Sequence, residues 1–127
     1  MTTAVSIAQS GLAAATLSLN VSAANLANID DTSPVGSSAG FAPSQVVNTA
    51  VAGGGVSAQA VTAKPSQLIA YDPSSPIATA QGFVQMPDID PISEVTNQLQ
   101  ASNAFAYSLQ VLKAAQQEQR ALLDITS

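Results

Sequence analysis

The first 29 residues carry a heptad pattern, and this pattern limits the fold more than any other feature of the chain. Apolar residues recur every seven positions, and a second set of apolar or small residues follows each of them by three: Val5, Leu12, Leu19 and Leu26, then Ala8, Ala15, Ser22 and Ile29. Such spacings place both sets on one stripe of an α-helix. The sequence therefore predicts a helix over residues 3–29 that packs against a second helix.

The same segment has no charged face. A weaker apolar stripe lies about 200° around the predicted helix and consists of Ile7, Ala14 and Val21 with Leu17 and Ala24. The first charged side chain is Asp30. Because a helix without a charged face is usually buried all round, we expect the second stripe to face neighbouring subunits of a lateral assembly.

Four uncharged polar residues interrupt this helix, namely Asn20, Ser22, Asn25 and Asn28. They are poor helix formers. In a helix buried on all sides their side chains can bond to neighbouring helices and fix register, as a single Asn does in coiled coils. We expect Asn25 and Asn28 to act in assembly, so that alanine there impairs assembly more than subunit solubility.

A second helix is predicted over residues 91–124. Asp90 is the predicted N-cap, and Pro91 suits the first helical position. Apolar residues follow at steps of three and four, and the stretch between Val95 and Leu112 contains no charge. Together the two helices give the predicted subunit-packing residues: Val5, Leu12, Leu19, Asn25, Leu26, Asn28, Ile92, Val95, Leu99, Phe105, Leu109 and Leu112.

Residues 30–89 differ from both ends, since they hold most of the Pro and Gly residues. Turn signals separate four candidate strands at Ser44–Ala50, Val56–Thr62, Gln67–Tyr71 and residues 82–86. The few candidate core residues of this insert are Phe41, Val47, Leu68, Ile69, Tyr71 and Phe83. The predicted fold is mainly α: a terminal helix over 1–29, a small β-rich or irregular insert over 30–89, and a second terminal helix over 90–127.

Composition excludes several classes of function. Cys and His are both absent, and charged residues make up 9% with a net charge of −5, against roughly 25% charged residues in typical soluble domains. We expect no nucleic-acid binding and no direct lipid binding. Polar residues interrupt every apolar run near the N-terminus, which argues against a cleaved signal peptide and against a membrane-spanning helix.

The motifs that remain favour structural roles. Asp30 and Asp31 follow one helix, and Asp88 and Asp90 precede the other, so these acidic pairs are interpreted as helix-end residues rather than as a metal or catalytic site. The glycine run at 53–55 lacks the Lys-Ser/Thr of a phosphate loop. The sequence predicts no enzyme, no catalytic or metal-binding residue and no cofactor.

Two stretches resemble the bacterial flagellar axial proteins, the family of rod, hook and hook-associated subunits. SGL at 10–12, LN at 19–20 and NLAN at 25–28 are similar to the family's N-terminal signature. YDPSSPIA at 71–78 and GFVQMPDID at 82–90 are similar to the Y-x-P-x-x-P-x-A and G-Y-V-x-M-P-N-V-D segments of the proximal-rod members. The resemblance implies a basal-body rod subunit whose two terminal helices pair as a coiled coil.

The resemblance also implies partners and a location. Such subunits leave the cytoplasm through the flagellar type III export apparatus without a cleaved signal and polymerise helically with copies of themselves and other rod subunits across the periplasm. The predicted function is a structural subunit of the proximal rod that transmits motor torque. Two alternatives stay open: another axial protein of distal-rod or hook type, and a secreted helical binding or adaptor module.

Overall fold

The computed structural model describes residues 2–126, with side chains for residues 3–124. The elements in chain order are α1 (Thr2–Ala27), β1 (Ser44–Ala50), β2 (Val56–Thr62), β3 (Gln67–Tyr71), β4 (Phe83–Pro87) and α2 (Pro91–Thr126). The two long helices and the small β region between them confirm the predicted fold class. Three strands have the predicted bounds, and β4 lies one residue later than predicted.

The two helices lie side by side in opposite directions. Asn25, near the end of α1, bonds to Glu94, near the start of α2, and Gly11 in α1 faces Ser108 further along α2. A residue late in α1 therefore contacts a residue early in α2, and an earlier residue of α1 contacts a later one of α2. The two helices are antiparallel. The coiled-coil form of this pairing stays a prediction.

The contact between the helices is built from small residues. Ala8, Ala15, Ser22 and Ala101 are all buried. A Cβ added at Gly11 would lie 2.7 Å from the Ser108 hydroxyl oxygen, so glycine permits the close approach of the two helices at this point. Small side chains bury little apolar area each, and the hydrophobic stabilisation of the isolated subunit is correspondingly modest.

The first β-hairpin covers part of α1. β1 and β2 pair in antiparallel fashion, and the Val56 amide donates to the Ser10 hydroxyl over 3.1 Å. The hairpin turn contains Gly54, which has a φ of +97°, a conformation that glycine adopts readily. Gly54 lies against the Ile7 side chain. The second stripe of α1 was expected to face neighbouring subunits. The chain's own hairpin contacts one member of this stripe, Ile7, while Ile7 remains 39% exposed, so the contact of the stripe with neighbouring subunits stays a prediction.

The second hairpin is more exposed. β3 and β4 pair in antiparallel fashion, and Ser33 extends the far side of β4 through two backbone bonds to Gln85. The Tyr71 and Phe83 rings meet edge to face at 5.5 Å. The buried Gln85 side chain bonds to Gly36, Ser37 and Gln67, so a polar network stabilises this region together with the buried Val84.

The predicted core of the insert is wrong in several positions. Val47, Ile69 and Tyr71 are 45%, 55% and 68% exposed, and Leu68 and Phe83 are also exposed, while Phe41 is half-buried. The strands form two separate two-stranded ribbons, so no larger sheet covers these side chains. The largest fully buried side chains are instead Val84, Asn25 and Pro87.

The start of α2 confirms the predicted N-cap. The Asp90 carboxylate accepts bonds from the Ile92 and Ser93 amides at 3.2 and 3.3 Å and from the Ser93 hydroxyl. The Ser93 hydroxyl bond, followed by the Ile92 amide bond, lowers the pKa of Asp90 below its ordinary value. These bonds satisfy amides that the helix itself leaves without partners.

By length and mean hydropathy alone, the segment from Thr3 to Ala27 resembles a helix that could cross a membrane. A core helix of a globular subunit passes the same test. In this chain α1 contacts α2, β1 and β2, and 17% of its most apolar stretch is buried within the subunit.

Candidate assembly surfaces

Asn25 joins three elements of the subunit. Its side chain is 1% exposed, and its amide nitrogen donates to the Ser44 carbonyl at 2.8 Å and to Glu94 Oε1 at 2.9 Å. Its amide oxygen accepts the Ser44 N–H at 3.0 Å. One carboxamide thereby connects α1, β1 and α2, which explains why a poor helix former stands near the end of α1.

Asn28 has a different environment. Asn28 directly follows α1, its amide nitrogen donates to the carbonyl of Ala24 in the last turn of α1 at 2.8 Å, and its side chain is half-buried. This bond satisfies a carbonyl that the helix end would leave open. The assembly roles of Asn25 and Asn28 stay predictions, and the two residues differ in how much of the subunit depends on them.

The heptad stripe of α1 is used within the chain. Ala8, Ala15 and Ser22 are buried, and the four predicted packing residues of this stripe are half-buried: Val5, Leu12, Leu19 and Leu26. The remaining exposed side of α1 carries small or polar uncharged residues, including Ala13 and Asn20.

The predicted packing residues of α2 fall on two sides of the helix. Leu109 and Leu112 are half-buried, and Phe105 is 38% exposed. Ile92, Val95 and Leu99 are 77%, 49% and 62% exposed. Ile92, Val95 and Leu99 form the outer patch of α2. They lie about 120–180° around the helix from the buried Ala101.

Sequence reasoning missed the residues by which the first half of α2 contacts α1. Glu94, Ala101 and Ser108 face α1 and recur every seven residues. A search for apolar repeats passes over this set, because one member is charged and the others are small. A search for a seven-residue repeat of small or polar residues would have found it.

A cavity of about 590 Å³ lies between α1, α2 and β1. Its lining includes Ser18, Val46, Asn48, Asn97 and Ala104. Glu94 is the only charged residue in the lining, and its second carboxylate oxygen, Oε2, is buried without a hydrogen-bond partner among the described residues.

A smaller cavity of about 450 Å³ lies beside the second hairpin, between the loop at 36–42 and the Gln67 and Gln85 side chains. Its lining is uncharged. Among the described residues no group of three His, Cys, Asp or Glu side chains could hold a metal ion.

Comparison with known protein families gives a match over residues 80–125, to the family described as flagellar basal body rod FlgEFG protein C-terminal. This range takes in β4 and nearly all of α2. This match points to a structural subunit of the flagellar basal body. Such proteins are named as structural components, not as enzymes.

Curated relatives identify the family more closely. The chain is 37% identical over 113 residues to flagellar basal-body rod protein FlgC of Salmonella typhimurium, which covers 84% of this chain and 83% of that protein. It is 38% identical over 113 residues to FlgC of Escherichia coli O157:H7, with the same coverage. It is 35% identical over 120 residues to FlgC of Buchnera aphidicola from Acyrthosiphon pisum, covering 86% and 85%. The chain belongs to the FlgC family of flagellar basal-body rod proteins.

Proposed function

We propose that this chain is a structural subunit of the proximal part of the flagellar rod, without catalytic activity. The observation that carries the proposal is the identity to FlgC proteins, which extends over 84% of the chain and is therefore not confined to one element. The subunit would transmit motor torque by packing its two helices into a helical assembly.

Its partners in this proposal are copies of itself and other rod subunits. The low charge of the surface supports the idea, because a solitary soluble domain normally carries many more charges. The outer patch also supports it, since Ile92, Val95 and Leu99 are apolar and exposed in the isolated chain. Burying such side chains in an interface contributes roughly 1.5–3 kcal/mol for each one that becomes fully covered.

The proposal includes export and location. The chain would leave the cytoplasm through the flagellar type III export apparatus, without a cleaved signal, and join the rod in the periplasm. A core of small residues supports this route, because a modestly stabilised subunit unfolds at low cost before passage through a narrow channel. Neither nucleic acid nor lipid nor a cofactor takes part.

Deletion of the gene in its source organism tests the proposal. Swimming is scored, and basal bodies extracted with detergent are imaged by electron microscopy. We expect loss of motility, with membrane rings present but without rod, hook or filament, and restoration of all three by the wild-type gene. Normal swimming with complete basal bodies in the deletion strain would contradict the proposal.

A further inference from the structure

The cavity between α1, α2 and β1 ends at an open strand edge. We propose that this cavity receives one extended segment of a neighbouring axial subunit, which pairs with the outer edge of β1 as an added strand. The inference rests on the proposed assembly function and names the contact through which one of the neighbours binds.

The hydrogen-bond pattern of the first hairpin shows which backbone groups are available. The Ala63 amide donates to the Pro43 carbonyl at 2.8 Å, and the Val51 amide donates to the Gly55 carbonyl at 3.2 Å. Because bonding alternates along an antiparallel pair, the odd-numbered residues of β1 bond to β2. The even-numbered residues therefore direct their N–H and C=O groups away from β2.

Ser44 shows where this outer edge points. Its N–H and C=O both bond to the Asn25 carboxamide, which supplies one acceptor and one donor, as a residue of a neighbouring strand would. The same carboxamide bonds to Glu94 of α2. The outer edge of β1 is therefore directed toward the crevice between the two helices.

The edge continues into the cavity without partners. Val46 and Asn48 are the next two residues with outward backbone groups, and both line the cavity. Among the described residues nothing bonds to these groups. An extended segment bound here would continue the pairing that Asn25 begins, in the mode by which peptides add a strand to an open sheet edge.

The wall of the cavity that α2 forms, opposite β1, leaves room for the backbone of a bound segment rather than for large side chains. α2 contributes Asn97, Ala101 and Ala104 to the lining, which are two small residues and one amide that can bond to a passing chain. The edge from Ser44 to Asn48 spans about 16 Å, the length of roughly five extended residues.

Charge defines the chemistry of the segment. Glu94 is the only charged residue in the lining and lies at the Ser44 end of the cavity. An acidic segment would be repelled there, so the partner segment is uncharged or carries a Lys or Arg near that end.

The experiment measures amide hydrogen exchange at single residues, in the free subunit and in detergent-extracted basal bodies. We expect the Val46 and Asn48 amides to exchange at least about tenfold more slowly in the basal body, since exchange of a bonded amide requires local opening. Ala60 provides the internal control, because its amide also points outward, on the β2 edge, and it does not line the cavity.

Two proline variants test the same contact by substitution. Asn48→Pro removes an outward N–H that no bond within the subunit uses, and proline is tolerated at such edge positions. Ala60→Pro makes the matched change on the β2 edge. We expect both variants to fold with similar thermal midpoints, and only Asn48→Pro to reduce incorporation into basal bodies, by at least about tenfold for a contact worth about 1.4 kcal/mol.

The outcomes separate this inference from the proposed function. Basal bodies that contain the chain but leave Val46 and Asn48 exchanging at the free-subunit rate overturn the inference and leave the rod function standing. Equal incorporation of the two proline variants also overturns it. Basal bodies that lack the chain altogether overturn the proposed function, and the strand contact with it.

Discussion

The two helices share an apolar spacing of three and four residues but have different environments. α1 contacts α2 along one side and the first hairpin along another, and most of its large apolar side chains are half-buried within its own chain. α2 contacts α1 but neither hairpin to any comparable extent, and its outer patch is exposed. An apolar residue on α1 therefore mainly serves the subunit fold, whereas an apolar residue on the outer side of α2 is free to serve assembly.

Among the variants that test this difference between the helices, we expect Asn25→Ala to change the stability of the subunit most. The change removes three hydrogen bonds and leaves the Ser44 backbone and the Glu94 carboxylate without their partner. We expect a loss of about 3 kcal/mol in the free energy of unfolding, since each buried group left unsatisfied costs about 1–3 kcal/mol. Denaturant unfolding of the purified subunit measures it, with the exposed Asn20→Ala as the control. A loss below about 1 kcal/mol would show that Asn25 does not join the three elements energetically.

Leu99→Ser tests whether the outer patch of α2 serves assembly rather than the subunit fold. Leu99 is 62% exposed in the isolated chain, so we expect little change in unfolding but a weakening of assembly by about 2 kcal/mol, as for an apolar anchor at an interface. Incorporation into basal bodies and swimming on soft agar are the measurements. Val111→Ser is the control, because Val111 is 51% exposed on another side of the same helix. Equal defects in the two variants would argue against a specific role for the outer patch.

Gly54→Ala tests whether the first hairpin must lie close to α1. Gly53 and Gly54 have φ values of +93° and +97°, but only Gly54 has a neighbour, with Ile7 Cδ1 2.7 Å from an added Cβ. Both alanine variants should be destabilised by backbone strain, and we expect Gly54→Ala to lose about 1 kcal/mol more than Gly53→Ala. Thermal unfolding of both variants compares them. Identical thermal midpoints of the two variants would mean that the Ile7 side chain moves aside without loss of stability.

The smallest expected effect concerns the start of α2 and depends on pH. The folded pKa of Asp90 is below its ordinary value of 3.8, so its stabilising contribution is fully present above that value and is lost as the pH falls through the lower folded pKa. Asp90→Asn should retain the cap but remove this pH dependence, since Asn and Asp cap helices about equally well. Asp90→Ala should lower the thermal midpoint at neutral pH. A pH profile of Asp90→Asn that matches the wild type would contradict this assignment.

Local patterns predicted the elements of this fold well. The heptad repeat, the proline at position 91 and the glycine run at 53–55 depend only on nearby residues, and the helices and strands follow them closely. The sequence did not show which side of α2 contacts α1. Ile92, Val95 and Leu99 have the spacing of a buried stripe, yet α1 contacts the side that carries Glu94 and Ala101. Which side is covered depends on the partner helix, and periodicity alone does not identify the partner.

Asn25 illustrates the same limit for the candidate site. Its unusual place in a helix is visible in the sequence, and this led to an expected role in assembly. Its observed partners, Ser44 and Glu94, are 19 and 69 residues away. No local spacing relates them, so the connection of three elements and the cavity beside it emerge only when the chain is folded.

The antiparallel pairing of α1 with α2 has a consequence for the order of folding. Because Asn25 meets a residue 69 positions later, the stripe of α1 acquires its partner only after almost the whole chain is present. Contacts between such distant residues require the closure of a long loop and slow the folding reaction. A chain that enters folding from its N-terminus therefore waits for its last quarter. A shortened product without α2 leaves the α2-facing side of α1 exposed, while the first hairpin still contacts another side.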